Sequence, residues 1–294
     1  MAQLQQTRRG WENEHLATYL LSRISFLAHP VTVSDDVGVD LVCTLFVPQM
    51  KNGCMQLFPR QAFAIQIKSS EGDVAAKDRL AYYRGLELPF FLGVVNRTSG
   101  SLRIFSGELL PDFFASVRGK CSLTLVPQEK SIDHKPTGAW KKNGKRYRLP
   151  LPLIAELRTN HSDKKLDGAR QSLLGRCEFI LRNIATSISR EYVFRYPLGK
   201  KDYYRIIADN ESIKTFRLNL VLRLAEAFFN LREIFNEKRY AFRRSEFTQL
   251  ETCYHAIKAL NYPFKEVALL DALYGDLQRA VSNARTTGRR RKVR

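Results

Sequence analysis

Phe63-Ala64-Ile65-Gln66-Ile67-Lys68-Ser69-Ser70 is the stretch on which the fold turns. It alternates as a strand does, which puts Gln66 and Lys68 on one face and Phe63, Ile65 and Ile67 on the other. A second strand-like run lies upstream, Gly38-Val39-Asp40-Leu41-Val42-Cys43. Between them Asn52-Gly53 is a two-residue hairpin signal. Folding the chain about that turn pairs positions whose numbers add to about 105, so Asp40 faces Ile65. A single-residue bulge would bring Asp40 opposite Gln66. Pro48 and Pro59 flank the turn and cannot both sit in an unbroken ladder, so a bulge or a break is expected.

An acid, an amide carbonyl and an ammonium would then meet at the ends of apolar strands. A hard cation takes oxygen ligands, and a nearby ammonium can balance charge growing on a phosphoryl group. Residues 10–26, GWENEHLATYLLSRISF, read as a helix that buries Ala17, Leu20, Leu21 and Ile24. Glu14 lies on the inward side of that helix, where an acid costs free energy unless it has a partner. A metal or Lys68 would supply one.

These residues, in this order, resemble the PD-(D/E)XK nuclease superfamily, the restriction-endonuclease-like fold. The likeness rests on a helix with Gly10-x-x-x-Glu14, then Asp36-x-Gly38-Val39-Asp40, then Gln66-Ile67-Lys68-Ser69-Ser70, and covers residues 8–110. It is nearest to bacterial domains that carry Asp-x-Gly-hydrophobic-Asp before a Gln-hydrophobic-Lys-Ser strand. The resemblance implies Asp40 as central metal ligand and Gln66 as a ligand through its side-chain carbonyl, where many relatives have Glu. It implies that Lys68 orients the attacking water or stabilises the transition state. Glu14 would be an outer or second-metal ligand, and Mg²⁺ or Mn²⁺ the cofactor. Val39 stands where the name-giving proline would be. Gln66 removes one negative charge, which implies weaker metal binding than a Glu-x-Lys site.

Length and composition agree with such a chain. The 294 residues have room for about two domains. A hydrophobic content of 44% permits a sizeable core. The net charge of +19 suits a polyanion partner, with nucleic acid first and DNA ahead of RNA. Five scattered cysteines without a C-x-x-C pair fit a cytoplasmic protein and spell no zinc site. The N-terminal segment does not read as a signal peptide, and no apolar run approaches a membrane span, so no membrane partner is expected.

Beyond Lys68, residues 73–85 read as a helix, residues 90–95 as a strand, and residues 102–105 as an added edge strand. The resemblance implies the nuclease core order α-β-β-β-α-β, with that edge strand added. Lys77, Arg79 and Arg84 on that second helix could face a phosphate backbone, or form a solvated helix face. Residues 121–126 read as a short strand. Then comes Trp140-Lys141-Lys142-Asn143-Gly144-Lys145-Arg146-Tyr147-Arg148, a second hairpin signal. Its cations Lys141, Lys142, Lys145, Arg146 and Arg148 suit phosphates, and Trp140 and Tyr147 could stack on bases. The competing reading is a solvated hairpin whose aromatics anchor it to the domain.

The second half carries helical stripes: residues 173–188, residues 218–235 and residues 247–257, with a fourth started by Pro263 and running to Val281. The expected organisation is a nuclease-like α/β domain over residues 1–118, with a mixed sheet flanked by helices. A basic hairpin and connector over 119–157 and an all-α helical bundle over 158–284 follow. A disordered basic tail over 285–294 ends the chain. The expected function is metal-dependent hydrolysis of nucleic-acid phosphodiesters, in a bacterial defence, repair or mobile-element setting. The alternative is a nucleic-acid-binding module on an inactive nuclease fold. The helical half is the expected surface for a homodimer or a partner protein.

Overall fold

The computed structural model describes residues 2–29, 38–76, 79–117, 119–129, 140–189, 193–198, 201–206, 210–236 and 244–290. The chain divides into two compact units. The first is α/β and contains α1 (Ala2–Ser22), β1 (Ser25–Ala28), β2 (Leu41–Lys51), β3 (Cys54–Lys68), β4 (Val74–Ala75), α2 (Leu80–Gly85), β5 (Phe90–Asn96), β6 (Ser101–Ser106), α3 (Leu110–Ser116), β7 (Ser122–Gln128), β8 (Lys141–Asn143), β9 (Arg146–Arg158), α4 (Asp163–Ile188), β10 (Val193–Leu198) and β11 (Lys201–Ile206). The second is helical and contains α5 (Asn210–Asn236), α6 (Arg244–Ala259) and α7 (Glu266–Arg290).

A nine-stranded mixed sheet organises the first unit, in the order β1-β2-β3-β5-β6-β9-β7-β4, with β8 on β9. At its centre β3 and β5 run parallel, with Gln66 beside Leu92. The run Phe63 to Gln66 and nearly all of β5 are buried, as parallel strands covered on both faces require. Phe63, Ile65 and Ile67 join the cluster packed under α1 and α4, around Leu20, Leu21, Phe91 and Cys177. Ala64 joins the opposite cluster, with Tyr83, Leu92 and Phe113. The expected division of β3 into an apolar and a polar face is therefore met, and the polar face looks toward α2.

The register behaves as the sequence argument requires. Lys51 pairs with Cys54 and Phe46 with Pro59, but Thr44 pairs with Ala62 and Leu41 with Ile65. The shift between Thr44 and Phe46 is the bulge expected from the flanking prolines. One step beyond the Leu41–Ile65 pair, Asp40 comes level with Gln66.

Several boundaries differ from the sequence reading. The first helix ends at Ser22, and Ser25–Ala28 instead extends along β2 as an edge strand. The helix expected over 73–85 is only Leu80–Gly85, because Val74 and Ala75 pair with β7 and tertiary hydrogen bonds override local propensity. The strand expected at an edge, β6, is interior and lies between β5 and β9.

The compact units do not divide at 118 and 158. Strand β9 pairs with β7 through its first half and with β6 through its second, so the connector completes the sheet. The stripe of α4 (Leu173, Cys177 and Ile180, all buried) packs on that sheet and not in a helical bundle. The helical core is Val221, Leu224, Ala225, Phe228, Leu231, Phe247, Ile257, Leu270, Tyr274, Leu277 and Val281. Leu220 and Leu222 on α5 are exposed. Helix α7 begins three residues after Pro263 and runs to Arg290, so residues 285–290 of the expected disordered tail are helical. Residues 291–294 lie outside the described residues.

Candidate functional site

Asp40 grips β3 on both sides of Gln66. Its backbone N–H donates to the Ile65 carbonyl at 3.0 Å, and its Oδ2 accepts the Ile67 N–H. The carboxylate is thereby held beside the Gln66–Lys68 face. Burial pushes the Asp40 carboxyl above its ordinary range; the Ile67 hydrogen bond and the charges of Lys68 and Arg79 pull against that rise. Lys68 is held below its ordinary value by burial, against the pull of Asp40 and with further repulsion from Arg79. Asp40, Lys68 and Arg79 are part-buried, so the charged groups remain within reach of solvent, whereas Gln66 is buried.

The second layer of the site comes from the segment after β3. Tyr83 on α2 is buried and its hydroxyl donates to Gln66 Oε1 at 3.3 Å. Arg79, just before α2, hydrogen-bonds the Tyr83 hydroxyl. Burial is the main cause that lifts the Tyr83 phenol to about 12, which keeps it a neutral donor. Gly38, with φ +86°, lies against both groups: a Cβ there would sit 3.0 Å from Arg79 Cδ and 3.3 Å from Tyr83 Oη. A side chain at residue 38 would be strained at this φ and would push the Arg79 and Tyr83 side chains back by a few tenths of an ångström.

Of the predicted site residues, the structure brings Asp40, Gln66 and Lys68 together and adds Arg79 and Tyr83. Arg79, a candidate helix-face phosphate contact in the sequence, acts directly on the charges of Asp40 and Lys68. Tyr83 carries no sequence signal beyond its place on an apolar stripe. Glu14 is not on the buried face. It is part-exposed, 3.6 Å from His29 Nδ1, while its neighbour Asn13 is buried in line with Ala17 and Leu21. The stripe read in the sequence, Ala17, Leu20, Leu21 and Ile24, is buried as expected, but it continues to Asn13 and not to Glu14.

A hard cation would find two oxygens here: the Asp40 oxygen not used by Ile67, and the Gln66 carbonyl, which has a second lone pair beyond Tyr83. Among the described residues no three His, Cys, Asp or Glu side chains converge to hold a metal. That donor set fits Mg²⁺ or Mn²⁺ that keeps water ligands and borrows phosphate oxygens, not an all-protein cage.

The basic hairpin is present, with Lys141 opposite Arg148 and Asn143 opposite Arg146. Its turn is Gly144-Lys145, one residue beyond the expected Asn143-Gly144. Trp140 and Tyr147 both meet Phe113 edge-to-face, with ring centroids 5.7 and 5.3 Å apart, and belong to the core beneath α2 and α3. That packing agrees with the competing reading, in which the aromatics anchor the hairpin to the domain. Arg148 pairs with Asp73 at 2.6 Å, and Lys142 lies over the Tyr147 ring. Lys142, Lys145 and Arg146 are exposed. Arg84 is exposed and lies over the Phe114 ring, while Lys77 is outside the described residues.

No helix among the described residues is long and apolar enough to cross a membrane. Compared with protein-family models, with curated proteins and with solved structures, the chain has no match.

Proposed function

We propose that this chain is a metal-dependent nuclease of the restriction-endonuclease-like kind, acting on DNA in preference to RNA. The observation that carries the reading is Asp40 set across a bulged register from Gln66, with Lys68 on the same face of β3. The element order α1-β1-β2-β3-α2-β5, with β4 as a two-residue insertion, matches the nuclease core order and supports it. So does the net charge of +19, which favours a polyanionic substrate.

Asp40 and Gln66 would hold the Mg²⁺ or Mn²⁺, which when bound supplies Lewis-acid polarisation and an acidified water. The residues of the chain do the rest. Ile67 fixes the carboxylate of Asp40, Tyr83 aims the Gln66 carbonyl, and Lys68 meets the negative charge that grows on the phosphoryl oxygens. Glu14, part-exposed beside His29, has no part in this reading of the site.

The test is cleavage of plasmid and linear DNA by the purified chain with Mg²⁺ or Mn²⁺, stopped by chelator. Asp40→Ala should lose about a hundredfold or more, the usual cost of removing a metal ligand or charge stabiliser. Cleavage by Asp40→Ala at the wild-type rate would overturn the assignment. The alternative, a binding module on an inactive nuclease fold, is what remains if neither protein cleaves but both bind DNA equally.

A further inference from the structure

A row of side chains runs across the sheet away from the site. Lys68 on β3 pairs with Val94 on β5, and Val94 pairs with Arg103 on β6. Residues level with one another in adjacent strands share a face, so Lys68 and Arg103 stand on the same side, two strand spacings or about 10 Å apart. Arg103 lies over the ring of Phe105, which belongs to the cluster beneath α2, and that fixes its face. Two carboxylates hold it. Its Nη1 donates to Glu71 Oε1, and its Nη2 donates to Glu129 Oε1 at 3.3 Å. Glu71 lies on the segment that leaves β3, just beyond Lys68, and Glu129 directly follows β7.

The arginine and its two acids differ in exposure. The Arg103 side chain is 18% exposed, that of Glu71 42% and that of Glu129 77%. The cation is thus set into the sheet surface, whereas the carboxylates approach it from the solvent side. Ion pairs with so exposed a partner are weak, and a guanidinium fork binds a phosphate as well as it binds a carboxylate. The segment that carries Glu71 has a further tie: Asp73 pairs with Arg148 at 2.6 Å, and Val74 pairs with Leu125. Glu71 can therefore leave Arg103 without freeing the whole segment.

We propose that Arg103 is a second contact for the nucleic-acid backbone beside the Asp40 site, and that Glu71 and Glu129 occupy it in place of phosphate until a strand displaces them. The inference rests on the nucleic-acid reading for its ligand, but not on metal or on cleavage. A strand held at Lys68 keeps its neighbouring phosphates close by, so the exchange at Arg103 is an intramolecular step at high effective concentration. A free phosphate lacks that advantage, and the two carboxylates therefore favour a polymer over a small anion.

Binding of a fluorescein-labelled DNA duplex by the full-length chain is followed by anisotropy, in chelator and over a range of salt. Glu71→Gln should tighten binding about fivefold, the worth of a part-exposed ion pair at its strongest. Arg103→Gln should weaken binding and lower the slope of log affinity against log salt by about 0.9, the share of one phosphate contact. In the Arg103→Gln background, Glu71→Gln should change affinity by less than about twofold, because no cation is left there for the acid to cover. Equal tightening with and without Arg103 overturns the proposal, since Glu71 then acts only as a negative charge near DNA. An Arg103→Gln variant with the wild-type slope overturns it too, and leaves Arg103 as a tie for the segment after β3. Glu71 is part-exposed, so Glu71→Gln decides the matter where Arg103→Gln does not fold: an affinity no tighter than that of the wild type overturns the proposal. Cleavage of the same duplex in Mg²⁺ is read alongside. Coupled effects without cleavage by the wild type sustain the contact and overturn the nuclease reading, and cleavage with uncoupled effects does the reverse. A wild type that binds no duplex in chelator overturns the contact, whether or not it cleaves in Mg²⁺.

Discussion

At the scale of single residues, Asp40 separates stability from function. Its folded-state pKa is raised, chiefly by burial, so its contribution to stability is fully present below the unfolded pKa and is lost as pH rises through the folded pKa. Ionised Asp40 therefore destabilises the neutral-pH protein, and Asp40→Asn, which can still accept the Ile67 N–H, should melt no lower than wild type at pH 7. The gap should close in melts taken toward about pH 4 and below, near the ordinary aspartate range, while metal-dependent cleavage is lost throughout. A large drop in melting temperature at pH 7 would contradict this. Gln66→Glu adds a carboxylate level with Asp40 on β3. It should tighten Mn²⁺ binding, since one more anionic oxygen faces the ion. Calorimetry showing unchanged or weaker Mn²⁺ binding would count against Gln66 as a ligand. The meeting of Asp40, Gln66 and Lys68 is legible in the sequence because strand period, turn signal and the prolines set a register from local rules alone. Glu14 is misplaced because it lies at the margin of the face that Ala17, Leu20, Leu21 and Ile24 define, while Asn13, a poor sequence marker of burial, continues that face inward. Arg79 and Tyr83 are not legible as site residues, since what brings them to Asp40 is a tertiary contact against Gly38.

At the scale of elements, pairing partners outweigh local propensity. Residues 73–76 have helical neighbours in sequence, yet Ala76 donates to the Leu123 carbonyl at 2.8 Å and the chain enters α2 only after Arg79. No local signal announces a partner so far along the chain. Helix α4 is legible as an apolar stripe but not as a layer of the sheet, because a stripe does not say what covers it. Its docking has one costly feature: Arg176 Nη1 meets Glu108 Oε2 at 2.7 Å, and the Glu108 side chain is 7% exposed. Burial raises the Glu108 pKa first, with Arg176 and Ser106 opposing. Arg176→Met leaves that carboxylate without its cation and should destabilise the first unit by about 3 kcal/mol, whereas Glu108→Gln with Arg176→Met should recover part of the loss. Chemical denaturation of both variants beside the wild type reads this directly. A single Arg176→Met variant as stable as wild type would mean that α4 is held by Leu173, Cys177 and Ile180 alone.

At the scale of the whole molecule, the net charge of +19 has to be apportioned between attraction to a polyanion and ion pairs within the fold. The hairpin of β8 and β9 shows how the two differ. Arg148 is matched by Asp73, and Trp140 and Tyr147 hold the hairpin to the core, so none of these three is expected to govern affinity for DNA. Lys142, Lys145 and Arg146 remain exposed at its tip. Every cation–phosphate pairing removed from a duplex complex lowers the slope of log affinity against log salt by about 0.9. Replacing Lys142, Lys145 and Arg146 by Gln should therefore weaken binding most at low salt and reduce the slope by about 2 to 3 if all three reach phosphates. Cleavage per bound substrate should stay at the wild-type level, because Asp40, Gln66 and Lys68 are untouched. Replacing Trp140 by Ala should do the reverse: it removes an edge-to-face pairing with Phe113, lowers thermal stability and leaves the salt slope as it was. Titrations by fluorescence anisotropy over a range of salt separate the two. If the triple variant keeps both its affinity and its slope, the DNA path runs elsewhere, and the cations nearest Asp40, Lys68 and Arg79, become the first groups that a substrate meets.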